Sequence, residues 1–560
     1  MEIILKILEL DNIKKNKGYL FARIIFSALF GISFFLDSIE ELGTWHGATY
    51  KEVYFKTPEI KNFIIFFLGF MWSFIVISLL GNIYNKNNTI IKSIKDRVKK
   101  IKKLKKIKKF KRIKPGTIFI ISFFTILLFW LPVVLTYIPG GIFDDTYETI
   151  KIIQGKEMLT NHHPLLFYLI LKLFINIGTW LFNDLNIGLV FYTVLQIFLL
   201  NFVISYFIAW MYEKQVNILY IISLILFFSL FKLVPLYTVS IWKDTPYCIA
   251  ILYYTLIITK IAYSKGDELE RVSTIINYLI SAFLVAFLRN NGIFVVIGST
   301  CAIILAYKNK KLFIKTVIIQ MIVFILIQGP LYKALKINGE FRESVGPLIQ
   351  QICYVVANDG NVNEEELEFI NNIEKIENIK ERYSPINVDM IKYYKFNDEF
   401  LENNKIKFIK IWISLFIKNP KMYTKAYLLN TTGYWDLKRV ASYGKKNYVF
   451  PRSYMTLYKE FQDTYWQLNI TYILTGKTPI KVSDFYNNQI PYAWFGATTL
   501  LSAIYILKTK KYNNILMYLP GLLTLATVFI AVPIAFGMRY IFSLALVMPF
   551  SIYFPLMESK

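Results

Sequence analysis

The chain has 560 residues, of which 55% are hydrophobic, 17% aromatic and only 18% charged. No set of water-soluble domains could cover that much apolar side chain with so little charge, so soluble enzymes and soluble binding modules are excluded and an all-α polytopic membrane protein is expected. The net charge of +26 would point to nucleic acid in a soluble protein. Here, fifteen Lys or Arg against the single Asp96 fall between Lys86 and Lys114. The excess therefore reads as a cytoplasmic anchor on anionic membrane lipid, with no nucleic-acid partner.

A helix crosses roughly 30 Å of hydrocarbon with about 20 apolar residues. On that measure the expected spans are 20–36, 62–84, 116–138, 186–211, 217–235, 245–263, 273–289, 292–307, 312–331, 491–508, 514–532 and 538–556, about twelve in all. The chain divides accordingly into a two-span module (1–85), a basic cytoplasmic linker (86–115), a transmembrane core (116–331) with a first outer loop at 139–185, an extracytoplasmic and mainly helical domain (332–490), and C-terminal spans (491–560). The N-terminal stretch has no long apolar region before a cleavage site, so the first apolar run is expected to stay as a span.

With the basic linker inside, alternation places the polar turns at 213–214, 264–271, 307–311 and 508–514 inside as well, together with both termini, in a plasma-membrane protein. That holds only if the apolar stretch 165–182 does not cross. It carries Lys172, Asn176 and Gly178 behind Pro164, and is read as a helix lying in the membrane interface.

The loop from Pro139 to Leu166 organises the rest. Asp144 and Asp145 follow a Pro-Gly-Gly turn, with His162, His163 and Pro164 further on. Adjacent aspartates diverge, so one should face a site and the other cap a helix starting near Thr146; His163 can be read as the cap ahead of Pro164. Cys248, Cys301 and Cys353 are scattered and read as packing, not as a disulfide or zinc framework. In the 332–490 segment, Asn363 ahead of Glu364, Glu365 and Glu366 reads as a helix start and not as a catalytic cluster. The aromatic stretch 430–470 either stacks on a sugar or packs on headgroups.

At the outer face four segments supply polar groups: the first loop, Trp242-Lys243-Asp244, Arg289-Asn290-Asn291 and Arg539-Tyr540. Charges at membrane depth are costly and tend to be paired or functional. Lys243, Arg289 and Arg539 together can bind a phosphate or pyrophosphate; taken singly, each can simply snorkel to headgroups. An ionised Asp beside them suits a general base or a ligand for a divalent cation such as Mg or Mn, with Asp144 and Asp145 as its ligands if one is present. His162, His163, Asn290 and Tyr540 are candidate substrate contacts.

The ordered blocks IPGGIFDDTYETI, TNHHPLL, SIWKDTPY, FLRNNG, GPLIQQICYVVANDG, ERYSPINVD and NTTGYW, over about residues 116–545, resemble a bacterial branch of the GT-C glycosyltransferases, the superfamily that includes protein O-mannosyltransferases and aminoarabinose transferases. The resemblance implies a GT-C-like bundle with its site at the outer face and a donor sugar carried on a polyprenyl phosphate. It implies Asp145 as catalytic base with Asp144 in reserve, the lipid phosphate on Lys243, Arg289 and Arg539, and a cell-envelope acceptor (glycan, protein or lipid). Many relatives have an Asp-Glu or Glu-Asp pair where this chain has Asp-Asp, which leaves the metal open. The expected function is transfer of a sugar from that donor to the acceptor. The alternative is a flippase, transporter or polymerase of lipid-linked saccharides; a transporter should show internal repeats and broken helices at mid-membrane, and no repeat is found.

Overall fold

The computed structural model describes residues 16–42, 49–83, 113–337, 339, 341–439, 490–531 and 534–557. The basic linker falls almost wholly outside the described residues, as does the aromatic stretch from 440 on. The described chain is helical apart from one antiparallel pair, β1 (Glu40–Leu42) with β2 (Val53–Phe55), in register Glu40↔Phe55. That pair links α1 (Lys17–Ile39) to α2 (Ile60–Ile83). Between these two helices Arg23 is buried, donating to Ser78 Oγ at 3.0 Å with its guanidinium 4.0 Å over the Phe74 ring.

The core helices follow in order: α3 (Pro115–Tyr137), α4 (Asp144–Ile153), α5 (Leu165–Phe182), α6 (Leu185–Glu213), α7 (Ile218–Leu230), α8 (Leu233–Thr238), α9 (Asp244–Tyr263), α10 (Val272–Leu288), α11 (Gly292–Ala306) and α12 (Lys311–Leu326). Nine helices among the described residues are long and apolar enough to cross a membrane, which makes the chain a multi-pass, all-α membrane protein. Eight of them coincide with expected spans and the ninth is α5, at Leu165–Phe182.

The other four expected spans are helices of 13 to 17 residues. Two have visible local causes. The run 217–235 breaks at Phe231-Lys232 into α7 and α8. The helices α10 and α11 are cut by the Arg289–Asn291 turn, where a Cβ on Gly292 would collide with the Val285 carbonyl.

Burial decides which helix is central. In α9, 83% of the apolar window is enclosed by other helices, against 22% in α2 and in the segment Lys311–Ala334. The centre of the bundle is therefore headed by Lys243-Asp244. The helix α5 crosses the beginning of α6: Phe167 and Phe174 both pack on Tyr192, and a Cβ on Gly178 would collide with the backbone of Gly188. From Thr193 onward α6 runs along α3, with Thr193 Oγ1 donating to Pro139 O at 2.7 Å and Asn201 Nδ2 to Phe123 O at 2.9 Å.

Residues 341–439 fold into short helices around their own apolar core, with α13 (Gly346–Ala357), α14 (Glu364–Ile373), α15 (Ile376–Arg382), α16 (Lys405–Lys418) and α17 (Pro420–Asn430) closing over Cys353, Phe369, Tyr383 and Phe408. Asn363 starts α14 as expected, in a capping box with Glu366, whose carboxylate also takes Lys418 at 2.8 Å. Cys248 and Cys353 are buried and unpaired, whereas Cys301 is exposed on α11. The chain ends in α18 (Ala493–Thr509), α19 (Leu519–Ala531) and α20 (Met538–Ser551).

Candidate functional site

The Pro-Gly-Gly turn fixes the site by pairing with a second loop. Gly140 sits at φ +137°, where a Cβ would collide with Thr193 Oγ1 and Ile241. Gly141 N donates to Val239 O and Ile241 N to Gly141 O, each at 2.9 Å, a parallel bridge between the loop after α3 and the one before α9. Thr146 Oγ1 donates to Ile241 O, and Gln196 Nε2 from α6 donates to Thr238 O at 2.6 Å and Ser240 O at 3.0 Å. These bonds hold the start of α4 against Trp242-Lys243.

Here one expectation is corrected. The helix α4 begins at Asp144 itself, with Phe143 at the N-cap position and no side-chain cap, so neither aspartate caps a helix starting at Thr146. The first-turn amides are already directed by the Gly141 bridge. Asp145 instead faces a group of cations: Arg539 Nη1 at 3.0 Å and Lys243 Nζ at 3.6 Å from Oδ2, and His162 Nε2 at 3.9 Å from Oδ1. The side chain of Asp144 lies outside the described residues.

Burial alone would raise the Asp145 carboxyl; Lys243, Arg539 and His162 outweigh it and hold the group well below the ordinary carboxylate range. The ion pairing of Asp145 thus stabilises the fold fully above that range, and is lost only as pH falls through Asp145's own lower value.

Arg289, at the end of α10, reaches Asp244 Oδ1 at 2.7 Å, and Arg539 Nε lies 4.0 Å from Asp244 Oδ2. Tyr540 organises both arginines: its hydroxyl accepts from Arg539 Nη2 at 2.9 Å, and Arg289 lies 4.8 Å over its ring. Asn290 Nδ2 donates to Asn161 O at 2.8 Å, tying the α10–α11 turn to the loop that carries His162. Lys243 Nζ donates to His162 O at 3.0 Å and approaches its Nε2 at 3.4 Å. Asp145, Lys243, Arg289, Arg539, Tyr540 and His162 therefore meet in one place, although they come from four separate stretches.

His163 faces away from that centre, with Nδ1 3.2 Å from Thr149 Oγ1 on α4. It is not a helix cap: Pro164 occupies the N-cap position of α5, which has no side-chain cap. Burial, then Lys243 and His162, push its imidazole from the usual 6.5 down to about 3. Between these values the unfolded chain takes up a proton that the folded chain does not. Stability is therefore complete above about pH 6.5 and falls as the pH drops toward 3. Thermal unfolding in detergent is expected to show this slope, and His163→Gln to flatten it; an unchanged slope in the variant would remove His163 as its source.

Three residues that sequence reasoning did not assign complete the site. Asp244 clamps the two arginines. Glu343, in the short helix Phe341–Ser344, approaches His162 Nδ1 at 3.8 Å, and Lys392 bridges Glu343 Oε2 at 2.8 Å and Asp389 Oδ1 at 3.2 Å. Lys392 is 1% exposed, so this bridge is fixed. Asp244 and Asp389 stood inside SIWKDTPY and ERYSPINVD; nothing local marked Glu343.

A divalent cation does not fit the described residues. The space facing Asp145 is taken by Lys243 and Arg539, which would repel a metal, and no group of three His, Cys, Asp or Glu side chains able to hold one occurs among the described residues. What the arrangement can do is bind an anion between Lys243, Arg289 and Arg539 beside an ionised carboxylate.

Neither the curated proteins nor the solved structures include a match to the chain. One family model matches residues 152–560, which takes in every member of this cluster except Asp145. The chain belongs to that family, DUF6020, a family of unknown function.

Proposed function

We propose that the protein is a membrane glycosyltransferase that moves a sugar from a polyprenyl-phosphate donor to a cell-envelope acceptor. The observation that carries this reading is an ionised Asp145 set beside Lys243, Arg289 and Arg539 at one end of a membrane bundle. A lipid-linked sugar phosphate would present its phosphate to these cations while its chain stays among the helices. The cations would stabilise the negative charge that grows on the phosphate as it leaves. Asp145 would hold the acceptor hydroxyl in line with the anomeric carbon, whose configuration then inverts.

In this reading the bundle is GT-C-like, sits in the plasma membrane with both termini cytoplasmic, and rests its basic linker on anionic lipid. The site faces outward. The helix α5, crossing only the start of α6, lies in the interface, and residues 332–490 form the outer domain that selects the acceptor. A flippase or transporter would place its polar cluster at mid-membrane between repeats, whereas these residues gather at helix ends: the start of α9, the end of α10 and the start of α20.

The test is release of labelled sugar from polyprenyl phosphates carrying a hexose or a pentose, by protein purified in detergent, with chelator in a parallel sample. Turnover unaffected by chelator is expected. Binding of these lipids without consumption would sink the transferase reading and favour the flippase.

A further inference from the structure

The same cluster raises the question of where the acceptor's proton goes. In the transfer, the bond from the anomeric carbon to the phosphate oxygen breaks and its electron pair stays on the phosphate. The acceptor oxygen bonds to that carbon, and its proton must be taken up. A carboxylate pinned by two cations is a poor resting place for it: Arg539 and Lys243 favour the ionised form of Asp145. An imidazole is the ordinary side chain suited to accept such a proton near neutral pH.

His162 is placed to do so. Its Nε2 faces Asp145 Oδ1 at 3.9 Å and Lys243 Nζ at 3.4 Å. An ammonium has only donors, so the nitrogen facing it is the unprotonated one in the neutral ring. The ring proton then sits on Nδ1, which faces Glu343 Oε2 at 3.8 Å. Catalytic contacts of this kind are often loose before substrate binds. The charged and titratable groups around the ring come from four elements: Asp145 on α4, Lys243 ahead of α9, the neighbouring His163, whose ring lies edge-on at 4.7 Å, and Glu343. Glu343 is itself locked by Lys392 and accepts from the Tyr393 hydroxyl at 3.2 Å. It therefore presents a fixed negative charge to Nδ1.

We propose that His162 is the final acceptor of the proton leaving the acceptor hydroxyl, received through Asp145, and that Glu343 is the positioning residue that sets its tautomer and stabilises the imidazolium. The proton then passes to water. This assignment rests on the glycosyl-transfer reading, and it gives the 332–490 segment a part in the chemistry itself.

The test is the pH dependence of sugar release from labelled polyprenyl-phosphate hexoses and pentoses, with water as acceptor where no other is supplied, for wild type, His162→Gln, Glu343→Gln and Glu343→Asp. Wild type is expected to lose activity on the acid side as His162 becomes protonated. Glu343→Gln should shift that limb to lower pH and lower kcat about 10-fold, with Glu343→Asp restoring both. His162→Gln should abolish the limb and lower kcat about 10²-fold or more, with the donor KM unchanged. A limb that persists unmoved in both His162→Gln and Glu343→Gln would overturn the relay while leaving the transferase reading intact. No sugar release by wild type would overturn both. If His162→Gln does not fold, the Glu343 pair decides the matter alone.

Discussion

Asp145→Asn is expected to fold like the wild type and to lose about 10³-fold or more in kcat, while its KM for the lipid-linked donor stays the same or falls. The reasoning starts from charge. Asn keeps the volume and one carbonyl oxygen, so α4 and its bridge to the α9 loop, which depend on Gly141 and Thr146, are untouched. It cannot take a proton, and loss of a group that handles one costs about 10²–10⁴-fold. It also removes the counter-charge of Arg539 and Lys243, now at 3.0 Å and 3.6 Å. Those cations become more available to a donor phosphate, so binding does not weaken. A fall in kcat without a rise in KM is the signature of a group that acts in the transition state. Steady-state release of labelled sugar, with circular dichroism of the same samples, checks both halves. An Asn variant with kcat within a few-fold of wild type would remove Asp145 from the chemistry.

The fold class was legible because apolar excess leaves no soluble alternative, and eight of the nine membrane-length helices could be placed from runs of about 20 apolar residues. The breaks at Phe231-Lys232 and at Arg289–Asn291 were not, because the flanking residues are as apolar as any span and only the tight packing at Gly292 reveals the second cut. In the site, Asp145, Lys243, Arg289 and Arg539 stood out because an ionisable side chain beside an apolar run is rare in a membrane protein. Glu343 and Lys392 could not stand out. They belong to a polar segment rich in Glu and Lys, and become special only when the loop Ile386–Asn387 is hydrogen-bonded to the chain ahead of α20, with Ala535 N donating to Ile386 O at 2.9 Å. Pairing between residues so far apart in the chain leaves no trace in local spacing.

Asp244→Asn is expected to give the largest loss of stability of any single change in the cluster, about 3–5 kcal/mol, the range for removing one partner of a buried ion pair. Asp244 is 2% exposed at the head of the most enclosed helix, and its oxygens have no hydrogen-bond partners; what holds its charge there is the field of Arg289 at 2.7 Å and Arg539 at 4.0 Å. Asn fills the same space but leaves Arg289 facing Arg539 with no anion between them. Arg539, 23% exposed, still has Asp145, so the loss falls mainly on Arg289. Adding Arg289→Gln to Asp244→Asn should therefore recover most of the stability, because both buried charges are then gone; Arg289→Gln alone should be nearly as damaging as Asp244→Asn. Unfolding of the four proteins in detergent gives the coupling directly. Additive losses in the double variant would mean that Asp244 holds α9 by its shape and not by its charge, and that Arg289 is free to serve a phosphate without it.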